Sequence, residues 1–198
     1  MYSKKLYFYI AALFLISSFT TASLNAEEKK MDDEMMKAWA EYATPGENHK
    51  VLEYFVGEWD YTLGWKMSAK DKATKSSGTT TAKWILDGRY IKMHAQGTSM
   101  GQPFEGFGLM GYDNATKKYT GLWIDNMSTG ALKSWGYYYP SSKRFVEWGK
   151  FFDPIMGKQA FRAVTNIKKD NKFTYEMYIT GEDGKEFQMM KITYTRKK

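Results

Sequence analysis

The sequence predicts an all-β protein: one antiparallel closed barrel of about ten strands, preceded by one or two short helices. Three observations predict it. From Trp59 almost to the C-terminus, apolar and polar residues alternate with period two, as strands with one buried face require. The runs are joined by short segments of turn formers, and short links imply antiparallel neighbours, because a parallel crossover needs about a dozen residues or more. Before Gly57 the apolar period is helical instead.

The chain opens with Lys4-Lys5, an uncharged apolar run from Leu6 to Phe19, and small residues ending at Leu24-Asn25-Ala26 before Glu27-Glu28. That order is the pattern of a secretory signal over residues 1–26, so export to a periplasmic or extracellular space is expected. The run is shorter than the roughly 20 apolar residues of a membrane span. A retained N-terminal anchor is the competing reading. Without residues 1–26 the net charge falls from +7 to +5, through loss of Lys4 and Lys5. The excess is spread along the chain, with a small C-terminal cluster at Arg196-Lys197-Lys198, and argues for a solvated basic surface rather than a nucleic-acid patch. Cysteine is absent, which excludes disulfides, thiolate catalysis and Cys-based metal sites. Stability must therefore come from the apolar core, and 17% aromatic residues can supply one.

Residues 27–56 form the expected helical segment. Met31, Met35, Met36, Trp39 and Tyr42 fall on one side of a helix over Lys29–Ala43, which Thr44-Pro45-Gly46 stops. A second short helix, Glu47 to Phe55, puts Val51, Leu52 and Phe55 on one side. Both are expected to cap a barrel end, a partner-binding role being the alternative. The barrel domain is expected over residues 57–198. Trp59, Tyr61, Leu63, Trp65 and Met67 alternate with polar or small residues in the first strand, and a polar loop is expected from Ser68 to Gly78. Nine further runs follow, from Thr79–Leu86 to Phe187–Thr195, linked by turns such as Asp87-Gly88, Asp113-Asn114 and Asp183-Gly184. A closed barrel removes the exposed edges such a sheet would otherwise carry, and a two-sheet sandwich is the alternative. An even number of residues in the loop Pro140–Lys143 would set Trp135 opposite Trp148, a cross-strand aromatic pair contributing about 0.5–1 kcal/mol.

Few constellations carry chemistry. GFGLMG at 106–111 matches a dinucleotide fingerprint in letters only, because it lies within a strand rather than opening a helix. The glycines at 106 and 108 are better placed to leave space beneath a large ring such as Trp123 on the next strand. With two histidines, neither a multi-histidine metal site nor a Ser-His-Asp triad is expected. His49 reads as a surface residue. His94 reads as a hydrogen-bonded strand residue, with haem ligation through it a remote alternative and no other cofactor expected. Glu105, Asp125, Glu147, Glu176 and Glu186 lie in or beside strands and mostly read as facing water. Arg162 and Glu176 share strand parity and would pair if their face were interior, but the opposite face is the more apolar one.

Gly57-Glu58-Trp59 at the helix-to-strand junction resembles the opening of lipocalin-like (calycin) barrels. The resemblance implies that Gly57 turns the chain into the first strand and that the Trp59 indole plugs one barrel end. A longer resemblance runs through ATPGENHK at 43–50, WILDGRY at 84–90, PFEGFGLMGYDN at 103–114, Trp123 to Asp125, and GKEFQMMKITYTRK at 184–197. These segments resemble a bacterial family of unknown function, whose members are small, often exported proteins with a lipocalin-like β-structure. It implies fold and bacterial origin, and it transfers no catalytic residue.

The functional expectation is an exported protein that binds a small apolar or amphipathic molecule. Trp59, Trp65, Trp84, His94, Trp123 and Asp125 are the candidate binding residues. Two alternatives stand beside it: an enzyme with Asp125, Glu105 or His94 doing acid–base chemistry at the barrel mouth, and an envelope protein acting through protein contacts.

Overall fold

The computed structural model describes residues 29–181 and 183–198. The signal-like segment, residues 1–26, lies outside them. Two compact units are present, one ending at Thr44 and one spanning Pro45–Lys198. In the first, residues 29–43 form helix α1. Its apolar side chains Met31, Met35, Met36 and Trp39 are exposed, and the Trp39 ring meets Tyr42 edge-on at 5.8 Å.

The second unit begins with a short helix α2 (Glu47–Lys50) and a 3-10 turn (Val51–Phe55). Ten strands follow: β1 (Gly57–Trp65), β2 (Thr74–Ile85), β3 (Tyr90–Ser99), β4 (Gln102–Asp113), β5 (Lys118–Asp125), β6 (Leu132–Tyr139), β7 (Arg144–Asp153), β8 (Gly157–Lys169), β9 (Lys172–Thr180) and β10 (Glu186–Arg196). Each pairs antiparallel with its sequence neighbour, and β1 pairs with β10 to close the ring. The closed all-β barrel expected from the alternation is the observed fold.

β2 differs from expectation at its start. It begins at Thr74 rather than Thr79, so Thr74 to Gly78 pair with β1 instead of forming loop. Their polar composition hid the strand. Gly78 crosses closest to Gly97 and the Tyr61 hydroxyl, where an added Cβ would lie 2.1 Å from the Gln96 carbonyl oxygen. Only glycine fits there.

The helical turn caps one end of the barrel. Leu52 and Phe55 enter a cluster with Trp59, Ile91, Met110, Tyr119, Phe145 and Phe173. Gly57 enters β1 at φ +123°, a conformation open mainly to glycine. The Trp59 indole is fully buried and donates from Nε1 to the Phe55 carbonyl at 2.8 Å. Arg196, at the far end of the chain, lies 4.1 Å over that indole and donates to the carbonyls of Val56 and Tyr54, each at 2.7 Å. The cap is thus held by both ends of the barrel sequence.

Two further residues belong to the cap. His49, expected at the surface, is buried: its Nδ1 accepts from the Gly46 amide at 3.0 Å and its ring meets Tyr112 edge-on. Burial holds its pKa below the ordinary histidine value. Trp84 packs against the same cluster and donates from Nε1 to Glu53 of the 3-10 turn.

A second apolar cluster, built on Phe161, Ala163, Met177 and Ile179, packs with Phe151, Phe187 and Met190 toward the other end. From the cap toward that end the barrel is hollow, with Met177 and Met190 of the second cluster on the cavity wall.

Candidate functional site: the barrel cavity

A cavity of about 420 Å³ occupies the barrel interior. Its lining runs from Phe55 at the cap to Met100 and Met127 in the turns at the opposite end, where both methionines are exposed. Alternation decides which side chains reach it. Trp59, Tyr61, Leu63 and Trp65 of β1 point inward, as do Gly121, Trp123 and Asp125 of β5. Aromatic and methionine side chains therefore dominate the wall, which suits an apolar body.

Four of the six residues singled out in the sequence, Trp59, Trp65, Trp123 and Asp125, line this space. Trp123 and Asp125 are also bonded to each other, indole Nε1 donating to Oδ2 at 2.7 Å, while Oδ1 accepts from the Met127 amide at 3.0 Å. The ring lies over Gly106 and Gly108, where an added Cβ would sit 2.4 Å and 3.2 Å from indole carbons. Those glycines in GFGLMG hold an indole, and the strand around them offers no helix N-terminus for a pyrophosphate.

The other two candidates stand elsewhere. Trp84 has inward parity but lies at the level of the cap, bonded to Glu53 rather than lining the cavity. His94 points to the outer face. Its Nε2 lies 2.7 Å from Glu105 Oε1, and its ring stacks on Phe107 with centroids 4.5 Å apart. The acid–base trio imagined at the mouth is therefore divided, with His94 and Glu105 outside and Asp125 inside. Arg162 and Glu176 are separate too: Arg162 pairs with Glu186 at 3.0 Å and 2.5 Å, and Glu176 with Lys191 at 3.2 Å and Tyr178 at 2.9 Å.

The structure adds a polar group that the sequence reading sent to the solvent. Glu147 on β7 faces inward, lines the cavity, and is only 7% exposed. Its Oε1 accepts from the Ser134 hydroxyl at 2.8 Å. Burial pushes its carboxyl above the usual carboxylate range, the Ser134 hydrogen bond acting in the opposite sense. Tyr175 on β9, also on the cavity wall, is raised well above its ordinary value, first by burial and then by the charge of Glu147.

Flanking strands are shaped around this group. A Cβ on Gly121 would sit 2.4 Å from Ser134 Oγ and 3.4 Å from Glu147 Oε1; one on Gly136 would sit 2.9 Å from Glu147 Cγ. Across the ring, on β2, the Thr80 hydroxyl is buried without a hydrogen-bond partner among the described residues, and Thr80 also lines the cavity. An orphaned buried hydroxyl costs about 1–3 kcal/mol.

No Lys, Arg or His is among the lining residues. Among the described residues no group of three or more His, Asp or Glu is arranged to hold a metal ion. No helix among them is long and apolar enough to cross a membrane.

Comparison with solved structures supports the fold. The crystal structure of Rv2717c from M. tuberculosis superposes with a TM-score of 0.58 at 10% identity, covering 78% of this chain and all of that one. A redesigned β barrel, b11L5F_LGL, covers 75% of this chain and 96% of its own at 16% identity, with a TM-score of 0.39. No curated protein matches the chain. Residues 44–196, the barrel and the segment that caps it, match the family described as "Protein of unknown function (DUF1579)", and the chain belongs to that family.

Proposed function

We propose that this protein is an exported binding protein for a small apolar or amphipathic molecule. The observation that carries the reading is the cavity: about 420 Å³ inside a barrel capped at one end, walled by Trp, Tyr, Phe and Met. That volume falls within the range of small-molecule pockets, roughly 300–1,000 Å³. Side chains could have filled a barrel of this size. Here small residues on β2, β3 and β5, Ala82, Ala95 and Gly121 among them, leave the centre open. Polar side chains are a minority of the lining, the bonded pair Ser134–Glu147, Thr80 and Asp125 among them, as expected where they orient a ligand whose affinity comes from burial. Export rests on the Lys4-Lys5 start, the apolar run and the Ala26 boundary.

One preparation tests both parts. Native mass spectrometry of protein from its own host should show a chain lacking residues 1–26 and carrying a bound small molecule. Tryptophan fluorescence titrated with apolar dyes and short-chain amphiphiles should show saturable quenching, because Trp59, Trp65 and Trp123 all line the cavity. A full-length chain retained in the cytoplasm would refute export. A chain that carries nothing and shows no saturable quenching would refute the binding role.

A further inference from the structure

The cavity's charge pattern narrows the ligand class. Among the described residues that line the cavity, Glu147 and Asp125 are the acidic ones and none is basic to receive an anion. A ligand carboxylate or phosphate would enter an apolar space beside carboxyl groups and without a counter-ion, the costliest arrangement electrostatics offers.

The two acids are not equivalent. Both Asp125 oxygens are occupied, one by the Trp123 indole and the other by the Met127 amide. Asp125 therefore positions Trp123. Among the described residues Glu147 has a single hydrogen-bond partner, the Ser134 hydroxyl on Oε1, and a carboxylate has about four acceptor sites. Its remaining acceptor capacity lies in a cavity-lining group. It also lies deep, two residues from Phe145 of the capping cluster, where water competes least. A glutamate left half-partnered in an apolar interior is costly, yet Gly121 and Gly136 make the room it requires. The unpartnered Thr80 hydroxyl on the opposite wall is an independent sign that the cavity is shaped for an occupant with polar atoms.

We propose that the occupant is an apolar amine, whose ammonium group donates to the Glu147 carboxylate while its hydrocarbon body lies against the Trp, Phe and Met wall. The proposal rests on the binding role above and names the chemistry at its deep end. An ammonium has donors to spare and no acceptor need. In a low-dielectric site its pairing with a carboxylate is stronger than a neutral hydrogen bond. The aromatic rings that line the same space, Tyr175 among them, suit a cation as well as a hydrocarbon.

Calorimetric titration with decylamine, decanol and decanoate at pH 7.5, the ionic two below their micelle thresholds and decanol below its solubility limit, separates the possibilities. An alkylamine stays protonated there, since an unperturbed amine such as that of lysine titrates near 10.4. Decylamine should bind about tenfold or more tighter than decanol, the difference expected of a charge-assisted pair, and decanoate should bind weakest. In Glu147→Gln the amine preference should vanish while decanol affinity persists, which also reports that the variant is folded. Decanoate binding as well as the amine, or equal binding of all three, would overturn the amine assignment and leave the binding role standing. So would loss of the preference in Asp125→Asn but not in Glu147→Gln. If none of the three binds, the binding role itself falls.

Discussion

Glu147 and His49 show how one residue's chemistry depends on an address the sequence does not print. Both are ionisable, both are buried, and both titrate away from their ordinary values for the same first cause, burial. For Glu147 the direction has a stability consequence. Its folded carboxyl holds the proton more tightly than the unfolded one, so its contribution is fully present below the ordinary glutamate range. That contribution is lost as pH rises through the folded value. A neutral isostere escapes the loss. Glu147→Gln should therefore raise Tm at pH 7.5 by about 2–4 °C, the change about 1 kcal/mol makes in a domain of this size. At pH 4 it should change Tm little. Thermal melts across that range would check it, and a gain that is equal at both pH values would show the carboxyl to be unperturbed. The inward orientation was hidden in the sequence for a physical reason. Both faces of β6 and β7 carry aromatics: Trp135 and Trp148 pair outside at 5.3 Å, while Phe145 and Tyr138 pair inside at 4.6 Å. Hydrophobicity could not choose between the faces. The informative signal was small side chains at 121, 134 and 136, which become neighbours of Glu147 only once strand register is known.

Among the elements, the cap is where local sequence and long-range structure meet. The turn into the first strand and the plugging indole at Gly57-Glu58-Trp59 were legible through the resemblance of that segment to the opening of lipocalin-like barrels, and the φ of Gly57 and the burial of Trp59 agree with it. The partner that locks it was not, since Arg196 belongs to a C-terminal basic cluster that reads as solvated surface. Its guanidinium contacts two backbone carbonyls and the Trp59 face. Hydrogen bonds to a charged group contribute about 1.5–3 kcal/mol each before the desolvation of the guanidinium is counted. Arg196→Leu is therefore expected to cost about 2–4 kcal/mol in urea unfolding, by leaving the Val56 and Tyr54 carbonyls without that donor. Gly57→Ala should also destabilise: φ is +123°, and the new Cβ would lie 2.5 Å from Arg196 Nη1. Because the methyl displaces the same guanidinium, the double variant should cost less than the sum of the two single ones. Strict additivity would mean that the two residues act separately. Trp84 illustrates the complementary limit. Its inward parity could be read from alternation with Ala82 and Thr80, but its height along the barrel, which places it at the cap, depends on strand tilt and register.

Across the whole molecule, the contrast between a hollow middle and a packed second cluster is the feature on which the proposed binding role turns, and it can be tested without any ligand. Period-two alternation over ten runs made the closed barrel legible, because each strand needs one buried face and a closed ring leaves no edge. Whether that ring encloses space or side chains depends on the summed volume of inward residues at one level. Alternation is blind to that quantity. Two alanines sample the two regimes. Ala95 on β3 is buried and lines the cavity; Ala163 on β8 is fully buried within the second cluster, against Phe161, Met177 and Ile179. In Ala95→Phe the ring should enter existing space, so unfolding free energy should stay within about 1 kcal/mol of the parent, well below an ordinary overpacking cost. Saturable quenching by apolar dyes should be lost, because the phenyl occupies the ligand's volume. Ala163→Phe has no such space and should show the usual penalty of forcing a ring into a packed core, about 1–3 kcal/mol or more. Urea denaturation of the pair, with a dye titration of Ala95→Phe, distinguishes the cases. Equal, large losses in both variants would mean that the middle of the barrel is filled as tightly as its end. A stable Ala95→Phe that still takes up dye would place the binding surface somewhere other than the cavity.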